Sequence, residues 1–138
     1  MEDWDVLIEA TIDVIRVEPM KKEVRIEVTC RWEGERRKQI VVRGVDDFVV
    51  NEMRLSNIID RVTRLEASAS QEEKTSRRLF FMMRGRDPDA SELNWPVLSE
   101  KMARIRVGAL TLMELEPTYG ASVMMLAESI QLESIVVP

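Results

Sequence analysis

Histidine is absent from the 138 residues. With it go the commonest general base, the commonest metal ligand and every Ser-His or Cys-His catalytic arrangement. The one cysteine, Cys30, falls on an apolar strand face and reads as a small buried hydrophobe, since no cationic, exposed setting of a reactive thiol surrounds it. Glycine is sparse, and Arg84-Gly85-Arg86 and Gly120 stand without the spacing of a phosphate or dinucleotide loop. Aromatics number three Trp, three Phe and one Tyr, too few to furnish a stacking platform for single-stranded nucleic acid once several serve apolar faces. Basic residues are outnumbered, 20 against 25 acidic ones, and a net charge of −5 disfavours binding to a nucleic-acid backbone outside a local basic patch. No apolar run approaches the roughly 20 residues of a membrane span. The opening Met1-Glu2-Asp3-Trp4-Asp5 lacks the basic and apolar regions of a signal peptide, so a cytoplasmic home is expected.

What is present is alternation. Trp4, Val6, Ile8, Ala10, Ile12 and Val14 hold even positions while Asp3, Asp5, Glu9, Thr11 and Asp13 hold odd ones. Val24, Ile26, Val28, Cys30 and Trp32 repeat the pattern against Glu23, Arg25, Glu27, Thr29 and Arg31. Successive strand side chains point to opposite faces, so Trp4 to Glu33 reads as a long β-hairpin with one buried and one wet face. Keeping even positions opposite even positions requires an odd loop around Glu18-Pro19-Met20-Lys21-Lys22, of three or five residues, unless a bulge intervenes. A register placing Asp13 opposite Arg25 is preferred to one placing it opposite Glu27, where like charges would meet.

A third strand is expected at Gln39 to Arg43, with Gly44 and Asp46-Asp47 ending it before Phe48-Val49-Val50. Leu55, Ile58, Ile59, Val62 and Leu65 then recur at helical spacing behind Asn51, a candidate N-cap, which predicts a core-facing helix covering the hairpin. The β-branched content around Asn57-Ile58-Ile59 also allows a strand. Ser70-Gln71-Glu72-Glu73 has capping-box spacing, and the helix it opens would pair Glu73 with Arg77 and stop at Gly85. Asn94 and Pro96 suit the start of another helix carrying Val97, Leu98, Met102 and Ile105. Val107 to Leu115 is apolar on both parities, as in a strand covered on both faces. After the turn Glu116 to Gly120, Ala121 to Val137 fits either period and is assigned as a strand because the turn reads as a hairpin. The chain is thus expected to be a single α+β domain, residues 1–138: a mostly antiparallel sheet of five or six strands beginning with the hairpin, with two or three helices packed on one face.

Chemistry is thinner. Metal binding would rest on Asp and Glu alone, and Asp46-Asp47 and Asp87-x-Asp89 lack the ligand series of a calcium loop, so no metal or cofactor is expected. Glu128 lies among Met124, Leu126, Ala127 and Ile130; buried without a cation it could act as a proton donor, while exposed or paired with an arginine it could not. The fullest signal is Leu79 to Met83, apolar at too many consecutive positions for a helix with a wet face. Phe80, Phe81, Met82 and Met83, with Arg77 and Arg84 beside them, have the composition of a protein interface and form the candidate partner-binding residues. Lys74, Arg78 and Arg86 add positive charge to the same stretch. The expected function is a non-enzymatic binding or assembly protein acting through a protein interface, either with a protein partner or by self-association as a homodimer, with the hairpin's unpaired edge as one place where copies could meet. The alternative is a small-ligand binder or hydrolase with acidic residues in a pocket between helices and sheet. In size and acidity the chain is similar to the small immunity proteins of bacterial toxin systems, and it carries no motif of such a family.

Overall fold

The alternating stretch does form a hairpin, but it starts later than its pattern suggests and changes face midway. The computed structural model describes residues 4–32, 34 and 36–135. Strands β1 (Thr11–Glu18) and β2 (Glu23–Cys30) pair antiparallel along their lengths, whereas Trp4–Leu7 forms a single 3₁₀ turn. Leu7 and Ala10 are fully buried there, so the apolar run that precedes β1 closes one end of the core rather than extending the strand. The loop holds four residues, Pro19 to Lys22, between the pair Glu18↔Glu23, and a register shift between Ile12 and Val14 supplies the extra residue that an even loop demands. Asp13 sits at that bulge. Its carboxylate accepts hydrogen bonds from the hydroxyls of Thr11 (3.0 Å) and Thr29 (2.5 Å), while Glu27 takes Arg37 (2.8 Å) and Arg16 (3.4 Å). The preferred pairing of Asp13 with Arg25 is therefore replaced by Arg16↔Arg25, with each charge satisfied elsewhere. Past the bulge the inward residue becomes Ile15, opposite the buried Ile26.

Strand β3 (Arg36–Asn51) is 16 residues long. Gly44 and Asp46-Asp47 do not end it. Gly44 adopts φ +62, a conformation costly to residues with a Cβ, and the register shifts between Val45 and Asp47, so the strand bends and continues instead of turning back. Asp46 forms ion pairs with Lys101 and Arg104.

The expected helix behind Asn51 is strand β4 (Ile58–Leu65), and Leu55 is exposed in the connection before it. β4 pairs with β5 (Thr111–Tyr119), with irregularities at Ile58/Ile59 and between Ile59 and Arg61. They place Ile59 and Val62 in the same core although the two are three apart, which imitates a helical period in a strand. β5 pairs with β6 (Ser122–Ser134), β6 with β3, and β1 meets β4, closing a barrel in the order β1-β2-β3-β6-β5-β4. The hairpin's buried face is covered by the rest of the barrel, not by a helix. β5 runs on to Tyr119 through Pro117, so the turn is tighter than expected and centres on Gly120. The strand assignment of Ala121 onward holds to Ser134; Val136 and Val137, like Glu33 and Glu35, lie outside the described residues.

Two helices, α1 (Glu72–Arg84) and α2 (Pro96–Arg106), lie outside the barrel. They cover one patch of it. Parity explains why: Met113, Leu115, Val123, Met125 and Ala127 fill the barrel, while Leu112, Met124 and Leu126 face outward and pack with Leu79, Phe80, Leu98 and Met102. β5 and β6 are apolar on both parities because one face meets the barrel core and the other meets the helices. α1 starts with Gln71 at its N-cap and no side-chain cap, so the Ser70 capping box does not form; the Glu73–Arg77 pair does, at 3.2 Å. Among the described residues, no helix is long and apolar enough to cross a membrane.

Candidate functional site: an aromatic cleft at the end of α1

α1 ends as expected, with the Gly85 N–H bonded to the Phe81 carbonyl at 2.8 Å. The chain then turns through a 3₁₀ segment, Ala90–Asn94, and enters α2 at Pro96, whose missing N–H costs nothing in the first turn. The Glu92 carboxylate holds this turn together. It accepts the Asp89 N–H at 2.9 Å and both terminal nitrogens of Arg86, at 2.8 and 2.6 Å. The Arg86 guanidinium, followed by the Asp89 amide, holds Glu92 down to about 2.

Between α1 and this turn opens a cleft of 330 Å³ lined by Phe80, Arg84, Ser91, Glu92, Asn94 and Trp95. Its floor is aromatic. Phe80 and Trp95 meet edge to face, with centroids 6.1 Å apart and an interplanar angle of 76°. Two guanidinium groups lie over these rings, Arg84 at 5.0 Å from Trp95 and Arg86 at 5.3 Å from Phe80. Arg86 is committed to Glu92. Arg84 is exposed and has no ion pair among the described residues, which leaves its charge available at the mouth.

The candidate residues divide. Phe80, 1% exposed, and Met82, 4% exposed, belong to the core between helices and barrel, and Phe80 reaches the cleft only as its floor. Phe81 and Met83 are half-buried, Arg77 is half-buried beside Glu73, and Arg84 stands exposed. The run of apolar residues is thus accounted for twice: one stripe packs inward, and the flanking stripe, Phe81 and Met83, packs against the same core but stays partly open. The sequence reading passes over Trp95, Ser91 and Glu92 and takes Asn94 only as a helix start. The signal was there in Asp89-x-x-Glu92, the spacing of a reciprocal cap, followed directly by Trp95-Pro96.

Deeper in, α1 is tied to the barrel by Arg78, whose guanidinium grips Glu114 of β5 at 2.8 and 3.2 Å, touches the Met124 sulfur at 3.7 Å and lies 4.9 Å from the Phe81 ring centre. Glu114, 8% exposed, is the buried acid among the described residues, whereas Glu128 is exposed beside Gly44.

The Glu92 linkage gives a pH prediction. A carboxylate held below its unfolded value stabilises the fold at every pH above that unfolded value, about 4.3. That contribution fades as pH falls from about 4.3 toward 2. Carbon-detected NMR titration should place the Glu92 midpoint near 2, and Arg86→Ala should return it to the ordinary carboxylate range. An unchanged midpoint in the variant would remove Arg86 as the cause.

Comparison with protein-family models, curated proteins and solved structures finds no match for the chain.

Proposed function

We propose that the protein is a non-enzymatic binding or assembly protein that takes an acidic, apolar-tipped segment of a protein partner into the cleft between α1 and Trp95. The supporting observation is Arg84: exposed, without an ion pair among the described residues, and laid on Trp95 above an aromatic floor. An arginine held over an aromatic ring, with the half-buried Phe81 and Met83 on the same helix, has the make-up of an interface hot spot, where a charge-assisted bond and an apolar anchor act together. Binding fits the chemistry of the cleft better than catalysis does. Glu92, its carboxylate, is clamped by Arg86 and held too acidic to accept a proton near neutrality. The reading based on an acidic pocket relied on Glu128, and its exposure removes that support. An immunity-type role, occupying another protein's surface, is one form of the proposal. Cytoplasmic residence belongs to it too, and a thiol fully buried in the barrel core, that of Cys30, suits a reducing compartment.

The test is co-purification from the native host with tagged wild type, Arg84→Glu and Phe81→Asp, followed by titration of the recovered partner. Arg84→Glu reverses an exposed charge and should leave the fold intact while weakening partner binding at least about 10-fold. A partner bound equally by wild type and both variants would place its interface elsewhere and end this reading.

A further inference from the structure

The barrel has a narrow seam. β1 and β4 share one pair, Thr11↔Ile58, supported by backbone bonds from Ile12 to Asn57, Ile59 to Ala10 and Glu9 to Ile59 at 2.9, 2.9 and 2.7 Å. Across the outer face of this seam lies a concavity of 590 Å³ lined by Glu9, Thr11, Thr29, Arg31, Ile58 and Thr118. Beside it, joined through Asn57-Ile58 and Thr118-Tyr119, the β3–β4 connection projects with Met53 more than half exposed and Leu55 fully exposed.

That projection is held in shape. The Asn57 side chain pairs with both backbone groups of Arg54, accepting its N–H at 2.9 Å and donating to its carbonyl at 2.8 Å. The Arg54 guanidinium lies 5.5 Å from the ring centre of Tyr119, itself half exposed. A fully exposed leucine on a fixed loop pays little ordering entropy on being buried by another molecule.

Charge completes the picture. Glu52 and Arg54 flank the apolar tip, and Glu9 and Arg31 flank the concavity; none of the four has an ion pair among the described residues. The projection and the hollow thus each carry one acid and one base, side by side on one surface.

We infer that the chain self-associates through this patch as a two-fold dimer, Leu55 of each copy entering the other's concavity over Ile58. A two-fold axis makes both insertions at once, because an isologous interface uses one patch on both subunits. It also brings Arg54 toward Glu9 of the partner subunit and Glu52 toward Arg31 of the partner subunit. A second copy is the occupant that matches the apolar tip, the hollow and all four charges together. The patch shares no residue with the cleft at α1, so the dimer and the partner-binding reading stand or fall separately.

Sedimentation equilibrium at up to about 100 µM, a range that detects even weak association, is the test. Wild type should run at twice the 16.0 kDa protomer mass. Leu55→Asp should be monomeric with unchanged circular dichroism, since an exposed side chain contributes little to the fold. Arg54→Glu and Glu9→Lys should each weaken the dimer about 10-fold, and the two together should recover most of the loss, because the swapped charges again oppose. Arg84→Glu should leave the dimer as it is. A monomeric wild type, a dimer indifferent to Leu55→Asp, or a double variant no better than the singles would overturn the inference.

Discussion

Asn57→Ala should be the most damaging single polar substitution, costing about 3 kcal/mol or more and lowering the melting temperature by roughly 10 °C. Asn57 is 2% exposed, and its side-chain amide makes three hydrogen bonds, two with the backbone of Arg54 and one from the Ala121 N–H at 2.8 Å. Removing the amide strands two backbone donors and one acceptor. The Ala121 donor is buried and cannot turn to water, and an unsatisfied buried group costs about 1–3 kcal/mol. The surroundings cannot close over the gap either. Gly120 sits at φ +82 with Asn57 packed where its Cβ would be, so this junction joins the β3–β4 connection to the β5–β6 turn through one side chain and one missing one. Asn57→Asp keeps the acceptor for Arg54 and Ala121 but sets a second carboxylate oxygen against the Arg54 carbonyl in a buried site, so it should also destabilise, and less so at a pH low enough to protonate it and restore a donor. Equal melting temperatures for wild type and Asn57→Ala in thermal denaturation would contradict this account.

The second large effect is expected at Glu114. Glu114→Ala leaves the Arg78 guanidinium facing the apolar outer surface of β5 and β6 without its carboxylate. Breaking a fully buried pair costs about 3–5 kcal/mol; Arg78 retains some access to water, so about 2 kcal/mol is expected. Replacing both partners, Arg78→Met with Glu114→Met, removes both desolvation costs and should be nearly neutral, as apolar substitutes for buried ion pairs often are. Chemical denaturation of the two singles and the double closes the cycle. Singles that merely add up would show that Arg78 and Glu114 do not depend on one another. Loosening α1 would also move Phe81, which lies under Arg78, so the Glu114 variant offers an indirect way to disturb the cleft without touching its lining.

Some of this was legible from residue order. The alternation in Glu23 to Cys30 needs no context, because each apolar residue alternates with a charged or hydroxyl one, and the structure buries that parity. The two-sided apolar character of Val107 to Leu115 announced a strand covered twice, although that strand begins only at Thr111 and Val107 caps α2, and Gly85 and Pro96 marked the end of one helix and the start of the next. β4 misled because bulges break the strand period, so that Ile59 and Val62 share a face at a spacing that also belongs to a helix. The hairpin misled in a related way: its even alternation runs from Trp4 to Val14, but the bulge at Asp13 inverts which parity is buried, so that Ile15 takes the inward place. The candidate surface was legible as composition in Phe80 to Met83. Its division into a buried stripe and an open one was not, since that depends on where β6 and α2 press on α1.

By itself the sequence determined the local matters: which segments alternate, where helices must stop, that the one thiol is an apolar residue, and that no histidine chemistry is available. These follow from steric and periodic properties of neighbouring residues. Only the tertiary structure decided that the sheet closes into a barrel, that Glu114 and not Glu128 is the buried acid, that Trp95 meets Phe80 and Arg84, and that Leu55 is left outside. Each of those joins residues far apart in the chain through strand register and bulges, and a one-residue shift in register carries a side chain from core to solvent.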